Sequence, residues 1–345
     1  MADLVVILVL SVLGLAAHGA RSQPWIQWTL RVIYGFACVA ELYTVFSYYP
    51  TRADSASPWA QAVTLVMAVL TGIMLFKPVR QGLSYVFTGV DFLVGGQMIA
   101  AIIGKQPLKE RFQSSRIFIA ESMPHLNGLW IYVTTICSLL ANISPESWNM
   151  PMIGIPFPVP IDSLFSYNLF GLVILAACGA GIFVARKPGE VLRRLGIVKP
   201  EPWHYGVAFF TLIGTFVYDY VWSLYTGTPQ AGIGVKLGQY NTGTFSAGGG
   251  AGPAALLSVA TAICAGIGEE TLMRGGLQPV FGIVPAGALH GILHGQFNHM
   301  PLLMIQIGIW SCGLGVVRKY TNTTTTIIAH GAYNLINTFL FAFNP

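Results

Sequence analysis

The sequence predicts an all-α, polytopic integral membrane protein, a helical bundle with about ten transmembrane helices. Three observations support this prediction: 9% of the 345 residues are charged, 54% are hydrophobic, and the mean hydropathy is +0.64. A soluble domain carries about 25% charged residues. Because the apolar stretches recur along the whole chain, the composition excludes an ordinary soluble enzyme.

Each predicted helix corresponds to an apolar stretch, since a helix needs about 20 such residues to cross the hydrocarbon layer. Pro301 separates two short stretches, so one of them can be a partial span. The first stretch lacks a basic start and carries Asp3, and we interpret it as a span and not as a cleaved signal peptide. The candidate spans are 2–19, 29–48, 58–76, 83–104, 118–141, 164–185, 204–225, 252–274, 284–298, 300–317 and 324–343.

Basic residues in short loops indicate the cytoplasmic side of a membrane protein. The loops at 105–116 and 186–200 are rich in Lys and Arg and are predicted to be cytoplasmic. The proline-rich loop at 143–162 has neither residue and is predicted to lie outside. Lys77 and Arg80 then also fall outside, against the rule. The net charge of +5 comes from a few such loops, and it indicates membrane topology and not nucleic-acid binding.

The basic loop at 186–200 is the predicted boundary between two regions. The N-terminal membrane region, 1–190, has about six predicted helices and no assigned role. The second region, 200–345, holds nearly all residues that could carry chemistry. Its glycine-rich stretch at 243–253 is predicted to be a flexible loop or lid, and the threonines of 321–326 are predicted to cap the last helix. The five scattered cysteines, without CxxC spacing, are interpreted as small buried hydrophobic residues.

Two adjacent glutamates and an arginine stand in one of the apolar stretches, AGIGEETLMRGGLQ. Buried ionisable groups are costly unless they are paired. Glu270 and Arg274 have i,i+4 spacing and are predicted to form an ion pair. Glu269 lies about 100° around the helix from Glu270, so it cannot share the arginine equally and remains available as a base. The alternative is an ion cluster that only fixes helix packing.

Histidines cluster after the glutamates. His290 and His294 share a helix face, as do His330 and Asn334. Single histidines in apolar helices are usually packing residues, but this combination predicts hydrolysis, in which a glutamate or histidine takes a proton from water. The amide of Asn334 could donate to an oxyanion. A zinc site built from Glu269, His290, His294 and His330 is the alternative, although HExxH is absent.

Three acidic residues, Glu41, Asp91 and Asp219, lie in predicted spans outside this cluster. We interpret each as a hydrogen-bonded packing residue. The alternative is that they form, together with the glutamate pair, the ion relay of an ion-coupled transporter.

Three segments resemble, in order, the motifs of the CAAX prenyl endopeptidase and bacteriocin-processing (abortive-infection-like) family of intramembrane proteases. They are EETLMR (269–274), HGILH (290–294) and HGAYN (330–334). The resemblance covers roughly 200–345 and does not extend to the first 190 residues. It implies an all-helical membrane fold with a polar chamber that faces the cytosol. It also implies a membrane-anchored or lipidated, CAAX-type protein or peptide as substrate, with the lipid bilayer as the environment.

The resemblance assigns catalytic roles to Glu269, Glu270, Arg274, His294, His330 and Asn334. It implies that Glu269 activates water with His294, while Glu270 and Arg274 support the site. The implied reaction depends on glutamate and needs no cofactor, with zinc as the alternative.

The resemblance further implies that His330 and Asn334 stabilise the oxyanion. His290 stands where the family has an aromatic residue, and it could be a proton carrier, a metal ligand or a polar lining residue. The predicted function is therefore an intramembrane endopeptidase. The alternative is a non-proteolytic membrane scaffold or immunity protein that retains the fold.

Overall fold

The computed structural model describes residues 2–51, 57–104, 107–141, 161–226, 251–294 and 301–343. Within these ranges every regular element is a helix, and the only β-type contact is an isolated bridge between Ile182 and Arg186. The predicted all-helical fold is confirmed for these ranges. The proline-rich stretch at 143–162 and the glycine-rich stretch at 243–253 lie mostly outside them.

Several helices before the basic loop at 186–200 begin with a proline in the first turn, and one of them is capped by the Ser57 side chain. Pro24, Pro58 and Pro78 occupy first turns, where the missing N–H of proline costs no helical hydrogen bond. The elements are α1 (Ala2–Gly19), α2 (Pro24–Tyr43, continued by a π-helical turn at Thr44–Tyr48 and a 3₁₀ turn at Tyr49–Thr51), α3 (Pro58–Ile73), α4 (Lys77–Val94), α5 (Gln97–Ile103), α6 (Leu108–Ser114), α7 (Met123–Ala141), α8 (Ile161–Ser163, continued by a π-helix at Leu164–Gly171) and α9 (Leu172–Gly179).

The remaining helices include those that carry the motif residues. They are α10 (Pro188–Arg194), α11 (Pro202–Thr226), α12 (Ala251–Glu270, continued by a π-helix at Thr271–Leu277), α13 (Gln278–Phe281), α14 (Ile283–Leu293), α15 (Pro301–Tyr320) and α16 (Thr323–Phe343). α12 packs along α16, and α14 packs along α15. These two pairs bring the glutamates and the histidines together.

Four described helical stretches are long and apolar enough to cross a membrane, and the bent pair α3–α4 would make a fifth if it is one span. The predicted number of about ten crossings is therefore not confirmed. The four stretches are Pro24–Tyr48, Ile161–Gly179, Pro202–Leu224 and Gly252–Phe281.

Glycines explain two of the differences between predicted spans and observed helices. The predicted span 83–104 is split between α4 and α5, because Gly96 adopts a left-handed φ of +69° that ends the helix. The predicted span 164–185 ends as a helix at Gly179, and Gly181 follows with φ +82°. The sequence stays apolar beyond Gly96 and Gly181, so hydropathy alone could not indicate that the helices end there.

A buried cluster joins the N-terminal helices to the second region. Phe281 of α13 stacks on Phe118, with ring centroids 6.0 Å apart, and lies 5.3 Å from the ring of Tyr132. Leu30 and Leu126 belong to the same cluster. The division of the chain at 186–200 stays a prediction, but its two regions share this core.

Asp91 makes a polar connection between the two regions. Its Oδ2 lies 2.6 Å from the Lys319 ammonium, and its Oδ1 accepts a 3.1 Å hydrogen bond from the Ile283 N–H. Gly282, with φ +91°, lets the chain turn into α14 at this point. Asp91 thus holds the start of the helix that carries His290.

Glu41 and Asp219 are also hydrogen-bonded, as predicted. Glu41 accepts a bond from the Thr71 hydroxyl. Asp219 accepts one from the Gln306 amide at 3.0 Å and another from the Tyr333 hydroxyl.

The start of α16 corrects one prediction. Asn322, and not a threonine, caps this helix, because its Oδ1 accepts from the Thr325 N–H at 2.9 Å. Thr323 instead donates its hydroxyl to the Leu195 carbonyl at 2.6 Å. The threonine run therefore attaches the last helix to the basic loop.

Candidate active site

Close backbone packing places the glutamates against α16. A Cβ built on Gly266 would lie 3.0 Å from the Cα of Gly331, so α12 and α16 approach each other through two glycines. Glu269 and Glu270 end α12 one turn later, and His330 precedes Gly331. The first and third motifs are thus adjacent because a glycine just before the first motif meets a glycine within the third.

Glu270 and Arg274 form the ion pair that their spacing predicts. Arg274 Nε lies 3.2 Å from Glu270 Oε2, and both side chains are 0% exposed. His330 Nδ1 lies 3.1 Å from Glu270 Oε1 and donates to it, because a carboxylate can only accept. The negative charge of Glu270 is therefore matched inside the protein.

Glu269 has a different environment. Its side chain is 14% exposed, and its Oε2 accepts a 2.8 Å hydrogen bond from His290 Nε2. Its Oε1 accepts a 3.3 Å bond from the Asn168 amide. His330 Nε2 is 4.0 Å from Glu269 Oε2. Of the two carboxylates, only Glu269 is both accessible and without an arginine partner in the described ranges.

A chain of hydrogen bonds connects the two glutamates. Arg274 Nη2 donates to Ser311 Oγ at 2.8 Å. Ser311 in turn can donate to His290 Nδ1 at 3.0 Å, which leaves Nε2–H of a neutral His290 to donate to Glu269. The orientation of Glu269 therefore depends on Arg274 through Ser311 and His290.

Both histidines of the second motif lie beside Glu269. His290 is 1% exposed and contacts Glu269 directly. One ligand atom of His294 lies within 4.8 Å of the Glu269 carboxylate, and the activation of water by Glu269 with His294 stays a prediction. His294 follows the last residue of α14 as its C-cap, and its Nδ1 donates to the His290 carbonyl at 2.9 Å. The basic nitrogen of a neutral His294 is therefore Nε2.

Asn334 lies one turn after His330 on α16, as its spacing predicts. Within the described ranges its side chain makes no hydrogen bond to either glutamate, and its oxyanion role stays a prediction. The Trp310 ring borders the site, with its centroid 4.8 Å from that of His330 and 5.8 Å from that of His290.

Sequence reasoning missed Asn168, Ser311 and Trp310. Asn168 lies in the π-helix of Leu164–Gly171, about a hundred residues before the first motif. Its only signal is that it is a polar amide in an apolar stretch. Ser311 and Trp310 lie in a stretch with no motif. Their contacts arise from helix packing and not from spacing along the chain.

Three of the four proposed zinc ligands lie close enough to hold a metal ion. One ligand atom each from Glu269, His290 and His294 all lie within 4.8 Å of one another. His330 is not part of that group, so the four-residue ligand set is reduced to three. A catalytic zinc site typically uses three protein ligands, and this group fits that number.

Gly268 gives a prediction about the assembly of the site. A Cβ on Gly268 would lie 1.4 Å from the Asn168 carbonyl oxygen. We expect Gly268→Ala to force the helices apart and to lower the free energy of unfolding by about 1–3 kcal/mol. Gly214, in α11, has no described atom within 4 Å of its Cβ position and is the matched control. Thermal unfolding in detergent should show Gly214→Ala unchanged or stabilised, and equal stability of both variants would contradict the packing argument.

Residues 251–336 match the family model described as Rce1-like, type II CAAX prenyl endopeptidase Rce1-like. The matched range includes all three motifs and begins later than the predicted extent of 200–345. Searches of curated proteins and of solved structures found no match. The family match and the apolar helices together indicate an integral membrane protein.

Proposed function

We propose that this protein is an intramembrane endopeptidase. The premise is that residues 251–336 form a domain of the type II CAAX prenyl endopeptidase Rce1-like family. Its substrate would be a membrane-anchored or lipidated, CAAX-type protein or peptide. The observation that supports the proposal best is the environment of Glu269. This carboxylate is accessible and oriented by His290 and Asn168, whereas the adjacent Glu270 is buried and matched by Arg274.

Glu269 would act as the general base. It takes a proton from a water molecule as the water oxygen attacks the carbonyl carbon of the scissile peptide bond. The proton then moves to the leaving amine as the carbon–nitrogen bond breaks, so the products are a carboxylate and an amine. His290 would hold the Glu269 carboxylate in position, and His294 would orient the water through Nε2.

Asn334 would be the main donor to the oxyanion of the tetrahedral intermediate. Its amide N–H donates in any protonation state. His330 already uses Nδ1–H in its bond to Glu270. It can therefore donate to the oxyanion through Nε2 only when the ring is doubly protonated. Asn334 would therefore contribute more than His330 to stabilising the oxyanion.

The site would face the cytoplasm. This orientation rests on the basic loop at 186–200, which is predicted to be cytoplasmic.

The proposal can be tested with purified protein in liposomes and two fluorogenic peptides of identical sequence, one with a prenyl thioether on its cysteine and one without. We expect hydrolysis of the lipidated peptide at a higher kcat/KM, with one ¹⁸O from labelled water in the new carboxylate. Cleavage of neither peptide would contradict the proposal and favour a non-proteolytic scaffold or immunity protein.

Metal removal provides a separate prediction. If zinc were bound, Glu269, His290 and His294 would hold it, and it would lower the pKa of a bound water. We expect no such requirement, because Glu269 and His290 already satisfy each other by direct hydrogen bonding. Cleavage should survive prolonged treatment with a zinc chelator, and elemental analysis should find no stoichiometric zinc. Loss of activity that added zinc restores would contradict this prediction.

A further inference from the structure

A cavity lies between the N-terminal helices and the Rce1-like domain. It encloses about 570 Å³, within the usual range for ligand pockets of about 300–1,000 Å³. Most of its wall is apolar and includes Leu10 of α1, Leu172 of α9, and Leu272 and Phe281 of the Rce1-like domain. None of the glutamates and histidines of the candidate active site lines this cavity.

One part of the cavity wall is cationic. Arg21, Arg186 and Arg194 line it, together with His18 and His125, and no described acidic side chain does. None of the ion pairs formed within the described ranges involves these three arginines. Burial lowers the pKa of Arg194, and the charge of Arg186 lowers it further. The cluster therefore holds several positive charges close together without a compensating carboxylate.

His18 adds an unsatisfied polar atom to this wall. The side chain is 5% exposed, and its Nε2 donates to the Gly179 carbonyl at 2.9 Å. Its Nδ1 is buried without a hydrogen-bond partner in the described part of the chain. A Cβ on Gly181 would lie 2.8 Å from this ring, so the backbone fixes the ring in place. A bound anion would stabilise the doubly protonated ring and would accept a bond from its Nδ1–H.

We propose that this cavity binds one anionic phospholipid. Its phosphate would contact Arg21, Arg186 and Arg194, and one acyl chain would lie along the apolar wall. Arginine suits this role because its planar guanidinium binds phosphate oxygens through two parallel hydrogen bonds. The basic loop that supplies Arg186 and Arg194 is predicted to be cytoplasmic, and the cytoplasmic leaflet contains anionic lipids.

The bound lipid would connect α1, α7 and α9 to the helix that follows the glutamates. Leu272 and Gly276 line the cavity on one side, and Leu10 and Leu175 line it on another. The lipid would therefore stabilise the contact between the N-terminal region and the Rce1-like domain. This proposal does not depend on proteolysis.

The test measures lipid binding by native mass spectrometry on the full chain carrying Glu269→Gln, so that the result is independent of cleavage. Phosphatidylglycerol, phosphatidylcholine and inorganic phosphate are compared. We expect one phosphatidylglycerol to be retained, and Arg194→Gln to weaken that binding by about tenfold, the usual effect of losing a charge-assisted hydrogen bond. Arg111→Gln, at an exposed residue of α6 that does not line the cavity, should bind like the parent protein.

Arg21→Gln is the second variant, because Arg21 is exposed and its replacement should not impair folding. Phosphatidylglycerol should also raise the unfolding temperature of the parent protein more than that of either cavity variant. Equal retention of phosphatidylcholine would overturn the proposal, since the charge would not be recognised. Equal stabilisation by inorganic phosphate would also overturn it, since the acyl chain would not contribute, and so would unchanged binding in both cavity variants.

Discussion

Glu269→Gln is expected to reduce the rate of peptide cleavage by about 10²–10⁴-fold, because a positioned general base contributes an acceleration of that size. Glutamine has nearly the same shape. Its oxygen can still accept from His290, and its NH₂ can donate to the oxygen of Asn168 once that amide turns over, so the fold should persist. The measurement is kcat/KM on the lipidated peptide, together with the thermal unfolding midpoint of the same sample.

Glu110→Gln is the control for this substitution. Glu110 lies in the first turn of α6, is exposed, and is far along the chain from the motifs. Its variant should cleave at the parental rate. If Glu269→Gln retained full cleavage while Glu270→Gln abolished it in a folded protein, the proposed roles of the two glutamates would be reversed.

Arg274→Met is expected to lower the free energy of unfolding by about 3–5 kcal/mol, because it leaves the buried Glu270 carboxylate without its counter-charge. The double variant Glu270→Gln/Arg274→Met removes both charges and should recover much of that loss. Unfolding titrations of the parent, the two single variants and the double variant give the coupling energy of the pair. The double variant should remain poorly active, since Arg274 also holds Ser311 and, through it, His290.

The exposed ion pair Lys77–Glu121 is the control for the buried Glu270–Arg274 pair. Its atoms are 3.1 Å apart, close to the distance in the buried pair, but its side chains are 56% and 57% exposed. Exposed pairs contribute about 0.2–1 kcal/mol, so the same cycle at Lys77 and Glu121 should give a much smaller coupling. Equal coupling in both cycles would show that burial does not determine the strength of the Glu270–Arg274 pair.

The sequence was most informative where an interaction is local. Glu270 and Arg274 are four residues apart on one helix, so their pairing follows from helix geometry alone. Low charge and high hydropathy likewise predicted the helical membrane fold. The contact between His330 and Glu270 joins two motifs distant in sequence, and the motif resemblance predicted only that both belong to one site.

The contacts between helices could not be predicted from spacing. The direct hydrogen bond between His290 and Glu269 was not predicted, because the packing of α14 against α15 determines which face of α14 reaches the carboxylate. Ser311 and Asn168 contribute through positions outside every motif. Two predicted spans ended earlier as helices for a related reason, since hydropathy does not report the glycine turns at which helices end.

The π-helix at Thr271–Leu277 makes this part of the chain sensitive to its length as well as to its side chains. A π-helical turn contains more residues than an α-helical turn, so a chain one residue shorter could close as a regular α-helix. Because the residue lost is the extra one that the π-helix accommodates, the helix downstream would keep its register, whereas the faces presented by 271–277 would change. A deletion before Arg274 would also shorten its spacing from Glu270 from four residues to three. We therefore expect single-residue deletions between the glutamates and α13 to be more damaging than most substitutions there.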